Sequence, residues 1–308
     1  MLFAFCAKRQ LRDGFTAGWV GCHKPFTPSR VLRMLYTRIG EGNSLEKIFD
    51  YDRFSLYGLR ASSDVSFEIG QSASERLVFS LKGGFIINGR SVEEKDMAYM
   101  PSSFRGRIAV SRGSVTYLAE SRYSSSLPFY VKRYADVPSL EVGVRNYARR
   151  VKTMIGEGDP AISFLAGYTE EYPGNWSSYP PHRHEGKPEA YVFYGVDPGY
   201  AVQMSMKDGE ERAYVVHDYD VFLITGGYHP HVSSPLTGSG YAWVIAAPPD
   251  QRKLEVEVHP SFRQEETGMT HLTVRRATKA LSNCFREMRI PAADNAGLQG
   301  WAGSRSRS

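Results

Sequence analysis

The chain has 308 residues, with 38 Lys and Arg against 33 Asp and Glu, a formal charge of +5. A hydrophobic fraction of 42% with 13% aromatic residues excludes a disordered protein, and this length buries one large or two modest cores. The charge is unevenly placed: residues 1–33 carry six basic residues and one acid, residues 272–308 carry seven and two, and residues 34–271 hold 25 basic and 30 acidic residues. The body is therefore acidic, and a nucleic-acid partner is not expected of it. No apolar run approaches the roughly 18 to 20 residues of a membrane helix, so no membrane span is expected. Cys6, Cys22 and Cys284 all lie in the end segments, which leaves the body without a disulfide framework or a thiolate metal site.

In chain order, residues 1–33 open on an apolar stretch that precedes Lys8, Arg9 and Arg12, the reverse of an export signal, so a cytoplasmic location is the expectation. They read as a basic extension or as a start placed ahead of Met34. Residues 35–38 read as a strand, and helical periodicity is confined to residues 45–51 and the tail. Runs rich in Val, Phe, Tyr and Ile then recur at 77–81, 84–87, 114–119, 191–194, 200–204, 213–216, 221–224 and 241–246, broken by Gly, Pro, Ser and Asp. Such spacing predicts an all-β sandwich or barrel.

Two stretches share an order of features. Glu75 to Gly83 followed by Asp96 to Pro101 matches Glu189 to Gly195 followed by Asp220 to Thr225: an acidic residue opens an aromatic-rich strand, and an aspartate turn leads into a second apolar one. This predicts two related β-barrel (jelly-roll) halves, residues 34–140 and 141–262, followed by a basic tail, 263–308, with a short helix at 273–288 and then disorder.

The histidines assign the chemistry to one half. Eight occur, at 23, 182, 184, 217, 229, 231, 259 and 271, and residues 34–181 contain none. On a strand, His182 and His184 share a face while Arg183 points away. Glu185-Gly-Lys-Pro188 turns the chain so that Glu189 can face the same interior, and His229 follows a buried strand. Three neutral imidazoles and a carboxylate give a first-row divalent cation a mixed N/O set with room for substrate. His217 and His231 are expected to support the ligands or the fold, and His259 and His271 to lie at the surface.

His-x-His, four residues, Glu and a later His is similar to the metal motif pair of the cupins. Pro173-Gly-Asn-Trp-Ser-Ser-Tyr-Pro-Pro-His-Arg-His184 and Gly227-Tyr-His-Pro-His-Val-Ser-Ser-Pro235 closely resemble segments of the 5-deoxy-glucuronate isomerases of inositol catabolism. The sister family, the 5-keto-4-deoxyuronate isomerases, is similar in its ligands but not in this string. The resemblance implies a bicupin whose first barrel is degenerate and whose second holds Zn, Mn or Fe through His182, His184, Glu189 and His229. It also implies an aldose–ketose isomerisation of 5-deoxy-D-glucuronate to 5-dehydro-2-deoxy-D-gluconate, with a small sugar acid as partner and homo-oligomerisation left open. Such a reaction needs a base, for which Glu170, Glu171 and Tyr228 are the candidates. Trp176, Gln203 and Tyr228 are expected to line the substrate, and Arg149, Arg150, Lys187 and Arg252 are candidates for its carboxylate. A cupin dioxygenase and a non-catalytic sugar-binding cupin are the competing readings.

Overall fold

The computed structural model describes residues 36–263, and apart from 3-10 turns at Tyr134–Asp136, Arg145–Tyr147, Pro249–Gln251 and 260–263 the regular elements among them are all strands. The basic ends, residues 273–288, His23 and His271 lie outside the described residues. Among the described residues no helix is long and apolar enough to cross a membrane. Each run of β-formers named above overlaps a strand, with Gly84, Ser114 and Tyr200 one residue outside theirs.

Each half is a large sheet facing a small one. In the first, a seven-stranded sheet runs Tyr130–Lys132, Met97–Met100, Glu75–Lys82, Val115–Ser121, Phe54–Ala61 and Glu41–Gly42, with Glu46–Tyr51 also on Phe54–Ala61. Its inner face packs on a four-stranded sheet containing Val65–Ile69, Gly106–Val110, Phe85–Ile87 and Arg90–Val92. In the second, a seven-stranded sheet runs Tyr36–Arg38, Asp220–Ile224, Glu189–Tyr194, Ser239–Ala246, Phe164–Glu171, Arg149–Ile155 and Leu140–Val142. It packs on the four-stranded sheet of Trp176–Ser177, His231–Ser233, Ala201–Lys207 and Glu210–Val216.

The outer faces of the two large sheets meet. Phe54, Leu56, Leu77, Phe79 and Tyr117 of the first pack with Phe164, Ala190, Val192, Leu223 and Val244 of the second in one continuous core. Glu189–Tyr194 is thus covered on both sides: Tyr191 and Phe193 enter their own barrel while Ala190 and Val192 enter the shared core. A strand buried on both faces needs no polar alternation, hence its near-continuous apolar sequence.

Residues 45–51, read as helical, form instead the strand Glu46–Tyr51, antiparallel to Phe54–Ala61 with a register shift between Lys47 and Phe49. The shift lets the adjacent Ile48 and Phe49 both contact the shared core, and Leu45 packs on the first barrel's. A bulged strand therefore presents apolar residues at i, i+3 and i+4, the spacing that mimics a helix.

The internal repeat is present in topology but lies one residue away from the match of Glu75 with Glu189. Phe79 faces Met97 as Val192 faces Val221, and Arg76 faces Met100 as Glu189 faces Ile224. Arg76, not Glu75, thus corresponds to Glu189. A one-residue slip reverses every side chain, so Glu75 faces the second half while Arg76 is tied to Glu120 and the Gly70 carbonyl. The first barrel carries an arginine at the register position of the second barrel's carboxylate.

Tyr36–Arg38 precedes the first half in sequence yet pairs with Asp220–Ile224 of the second, so the halves are not separable at a single boundary. Buried Asp220 accepts from Tyr36 Oη (2.8 Å), Arg38 Nε (2.7 Å) and the His217 amide (2.8 Å). Asp220→Ala is expected to destabilise the fold by about 2–3 kcal/mol, because these donors lose a charged acceptor. Urea denaturation checks it, and an unchanged midpoint would show that the crossing strand is held by backbone pairing alone.

Candidate metal centre

Local chain geometry brings four side chains together. His182 lies on the two-residue strand His182–Arg183, paired with Glu257–Val258, and alternation sends Arg183 outward to Glu257 and Glu185. Gly186, at φ +68°, turns the chain so that the Lys187 carbonyl returns to His184 and Glu189 enters the next strand. Gly227, at φ +81°, does the same before His229; a Cβ there would meet the Met206 carbonyl at 2.6 Å.

The three imidazoles are held in one tautomer. Nδ1 of His182 lies 3.1 Å from the Pro180 carbonyl, Nδ1 of His184 2.9 Å from that of Lys187, and Nδ1 of His229 3.1 Å from that of Gly227. A carbonyl only accepts, so each Nδ1 carries the proton and donates it. Glu189 Oε2 lies 2.8 Å from His184 Nε2 and 3.6 Å from His229 Nε2, and these ligand atoms all lie within 4.8 Å of one another. The His182 ring lies 4.9 Å from that of His229. All four residues are buried.

Burial, together with the neighbouring imidazoles, holds His182 well below the ordinary histidine pKa and lowers His229 to about 4, so both are neutral at pH 7. His229 Nε2 is buried without a hydrogen-bond partner. The neutral His229 thus turns its Nε2 lone pair toward a buried carboxylate 3.6 Å away with no proton between them, an arrangement that is repulsive until a cation sits there. The donor set fits a divalent metal ion.

Beside the ligands is a cavity of about 80 Å³, with Arg149, Ser178, Tyr191, Tyr241 and Trp243 in its wall and Lys253 to Val256 along one side. Ser178 Oγ lies 2.7 Å from Tyr191 Oη and 3.3 Å from Tyr241 Oη, and burial raises both phenols so that they stay protonated. Sequence reasoning did not single out these tyrosines as site residues. Tyr191 was within reach of it, because it stands two residues after Glu189 and shares its face; Tyr241 comes from a strand whose register only the fold fixes.

The other candidates separate. Glu170 faces the first half and is bound by Lys95 (3.0 Å), Arg150 (3.2 Å) and Tyr134. Tyr228 lies outside the cavity, with its ring against His259 and Arg183. Both are corrected as base candidates, and Tyr228 also as a substrate contact. Glu171 does face the barrel interior, bound to Ser177, Ser239 and His231, and Ser177 reaches Tyr241 Oη at 2.8 Å. Trp176 lines a different, larger cavity of about 690 Å³ with Tyr147, Tyr179 and Phe262. Gln203 is fully buried, its Nε2 donating to the carbonyls of Met204 and His229, so it braces the His229 loop and does not line the metal cavity. Arg252 is committed to the carbonyls of Phe164, Gly156, Glu157 and Asp159. His217 bonds Asp197, His231 is buried against Phe193, and His259 is partly exposed.

The fold resembles that of an IolB-like protein from Salmonella typhimurium LT2 at a TM-score of 0.67, with 17% identity over 75% of this chain and 99% of that one. It also resembles Bacillus subtilis oxalate decarboxylase at a TM-score of 0.55 and 13% identity, over 82% of this chain and 85% of that one. Over 129 residues the chain is 35% identical to a 5-deoxy-glucuronate isomerase of Geobacillus kaustophilus, covering 37% of this chain and 46% of that protein. It is 36% identical to that of Geobacillus thermodenitrificans, covering 37% and 47%. The chain thus spans about half the length of these curated relatives. The model of the KduI/IolB family matches residues 38–264. With that match running through both barrels and the buried His and Glu cluster inside it, the chain belongs to the KduI/IolB family.

Proposed function

We propose that this protein is a metal-dependent aldose–ketose isomerase that converts 5-deoxy-D-glucuronate to 5-dehydro-2-deoxy-D-gluconate. On this reading it is a bicupin that holds Zn, Mn or Fe only in its second barrel. The convergence of His184 Nε2 and the unpartnered His229 Nε2 on buried Glu189 carries the reading, joined by the names of the relatives. Moving the carbonyl from C1 to C2 requires a proton to leave C2 and one to reach C1. A cation held by His182, His184, Glu189 and His229 supplies Lewis-acid stabilisation of the negative charge that develops on oxygen. Tyr191 and Tyr241 keep their hydroxyl protons and orient substrate oxygens. Glu171, joined to Tyr241 through Ser177, is the base candidate that this chain keeps on the barrel side of the sheet.

The test is turnover of 5-deoxy-D-glucuronate by the metal-loaded protein under anaerobic conditions, beside 5-keto-4-deoxyuronate. Isomerisation without oxygen, abolished by chelation and restored by metal, is the expected result. Activity that survives complete metal stripping overturns the reading, and oxygen-dependent consumption would make the protein a dioxygenase.

A further inference from the structure

The inner face of the second barrel holds a guanidinium that no carboxylate among the described residues contacts, although the charge of Glu171 acts on it. Arg149 opens the strand Arg149–Ile155 in the wall of the metal cavity, and only 3% of it is exposed. Both of its hydrogen bonds leave from Nη1, to the carbonyls of Tyr147 (3.0 Å) and Tyr179 (3.3 Å). Among the described residues no carboxylate forms an ion pair with it. Glu171, its partner across the strand pair, is taken by Ser177, Ser239 and His231. Burial lowers the pKa of Arg149, although no base in a protein removes its proton. A buried cation with no carboxylate in hydrogen-bond contact is costly to the fold and favourable to an anionic ligand.

Its place relative to the metal ligands is defined. Arg149 donates to the carbonyl of Tyr179 and His182 to that of Pro180, so the guanidinium and a ligand imidazole sit on successive peptide units. The hydroxyls of Ser178, Tyr191 and Tyr241 line the same cavity. Of the rival cations, Lys187 Nζ donates to the carbonyls of Lys253 (2.9 Å) and Glu255 (3.1 Å), Arg150 is bound to Glu170, and Lys253 borders the same cavity but is exposed to solvent.

We propose that Arg149 is the specificity-determining residue that receives the carboxylate of a sugar acid through Nε and Nη2, while the metal ligands face the carbonyl end. The assignment rests on the isomerase reading for the identity of the sugar, not for the presence of an anion subsite. It makes the enzyme discriminate a uronate from a neutral aldose inside a protein whose body is acidic.

The experiment measures binding of D-glucuronate and D-glucose to the metal-loaded full chain by calorimetry, and turnover of 5-deoxy-D-glucuronate, in wild type, Arg149→Lys, Arg150→Ala and Lys253→Ala. A charge-assisted pair of hydrogen bonds predicts that Arg149→Lys weakens glucuronate binding and raises KM by roughly 10- to 100-fold, with a much smaller change in kcat. Glucose binding and metal content should hold, Arg150→Ala should match wild type, and Lys253→Ala should keep the preference for glucuronate. The proposal is overturned if wild type does not prefer glucuronate to glucose, or if Lys253→Ala abolishes the preference. The first of these stands even if Arg149→Lys folds poorly. A preference lost in Arg149→Lys with no turnover in wild type sinks the reaction and keeps the subsite. Turnover with KM unchanged in Arg149→Lys sinks the subsite and keeps the reaction.

Discussion

Glu189→Ala is expected to lose metal and activity together, with kcat/KM falling at least about a hundredfold, the lower range for removal of a group that stabilises transition-state charge. His229→Ala should behave alike, because its Nε2 is the buried atom left without a partner. The two variants differ in the metal-free state. Glu189 is a buried carboxylate among imidazoles, two of them held neutral by burial. Its removal takes away a buried carboxylate whose one close contact among these imidazoles is His184 Nε2 at 2.8 Å, and the metal-free Glu189→Ala protein should be no less stable than metal-free wild type. Added metal then raises the melting temperature of wild type and not of the variant, since only a ligand that binds the native state stabilises it. Metal content by elemental analysis and melting curves with and without chelator read both effects. A variant that keeps a metal-dependent rise in melting temperature would remove Glu189 from the site.

Glu75→Ala is expected to be the most destabilising single change outside the metal centre, at about 3–5 kcal/mol, the range for leaving buried charged-acceptor partners unsatisfied. The carboxylate is fully buried, and it accepts from the backbone amides of Ile162 (2.9 Å), Ser163 (2.7 Å) and Phe164 (3.2 Å) in the other half. Tyr99 Oη and Ser163 Oγ also donate to it. Glu75→Gln keeps one acceptor oxygen and should cost less. Because the halves share one core, unfolding should remain a single transition that moves to lower denaturant. A loss below about 1 kcal/mol, the scale of an exposed ion pair, would show that apolar packing alone joins the halves.

These two carboxylates also show where the sequence was readable. Glu75 and Glu189 look equivalent because each opens an aromatic-rich strand, and the resemblance of those strands is real. Their faces are opposite, and only pairing with Met97–Met100 and Asp220–Ile224 reveals it. Composition along a strand buried on both sides carries no alternation from which to read the phase. At residues 45–51 a bulge altered the phase in the same way and produced a helical spacing.

The buried His and Glu cluster was legible because its members are mostly local: His184, a glycine turn and Glu189 lie within six residues, and histidine is rare enough in the body to mark His229. The residues around the ion were not. Glu170 and Glu171 are adjacent, yet one faces Lys95 and the other His231, and the choice between them is a matter of sheet register. Trp176 and Tyr228 are close to the motifs in sequence and lie in the walls of other cavities.

By itself, then, the sequence determined an all-β chain with its buried histidine and glutamate cluster in one half, since β-periodicity and residue spacing act over a few residues. Tertiary structure alone decided which charges face the cavity, that the strand Tyr36–Arg38 crosses to the second sheet, and that no carboxylate among the described residues forms an ion pair with Arg149. Those outcomes depend on which strands pair and in what register, and contacts between residues far apart in the chain set both.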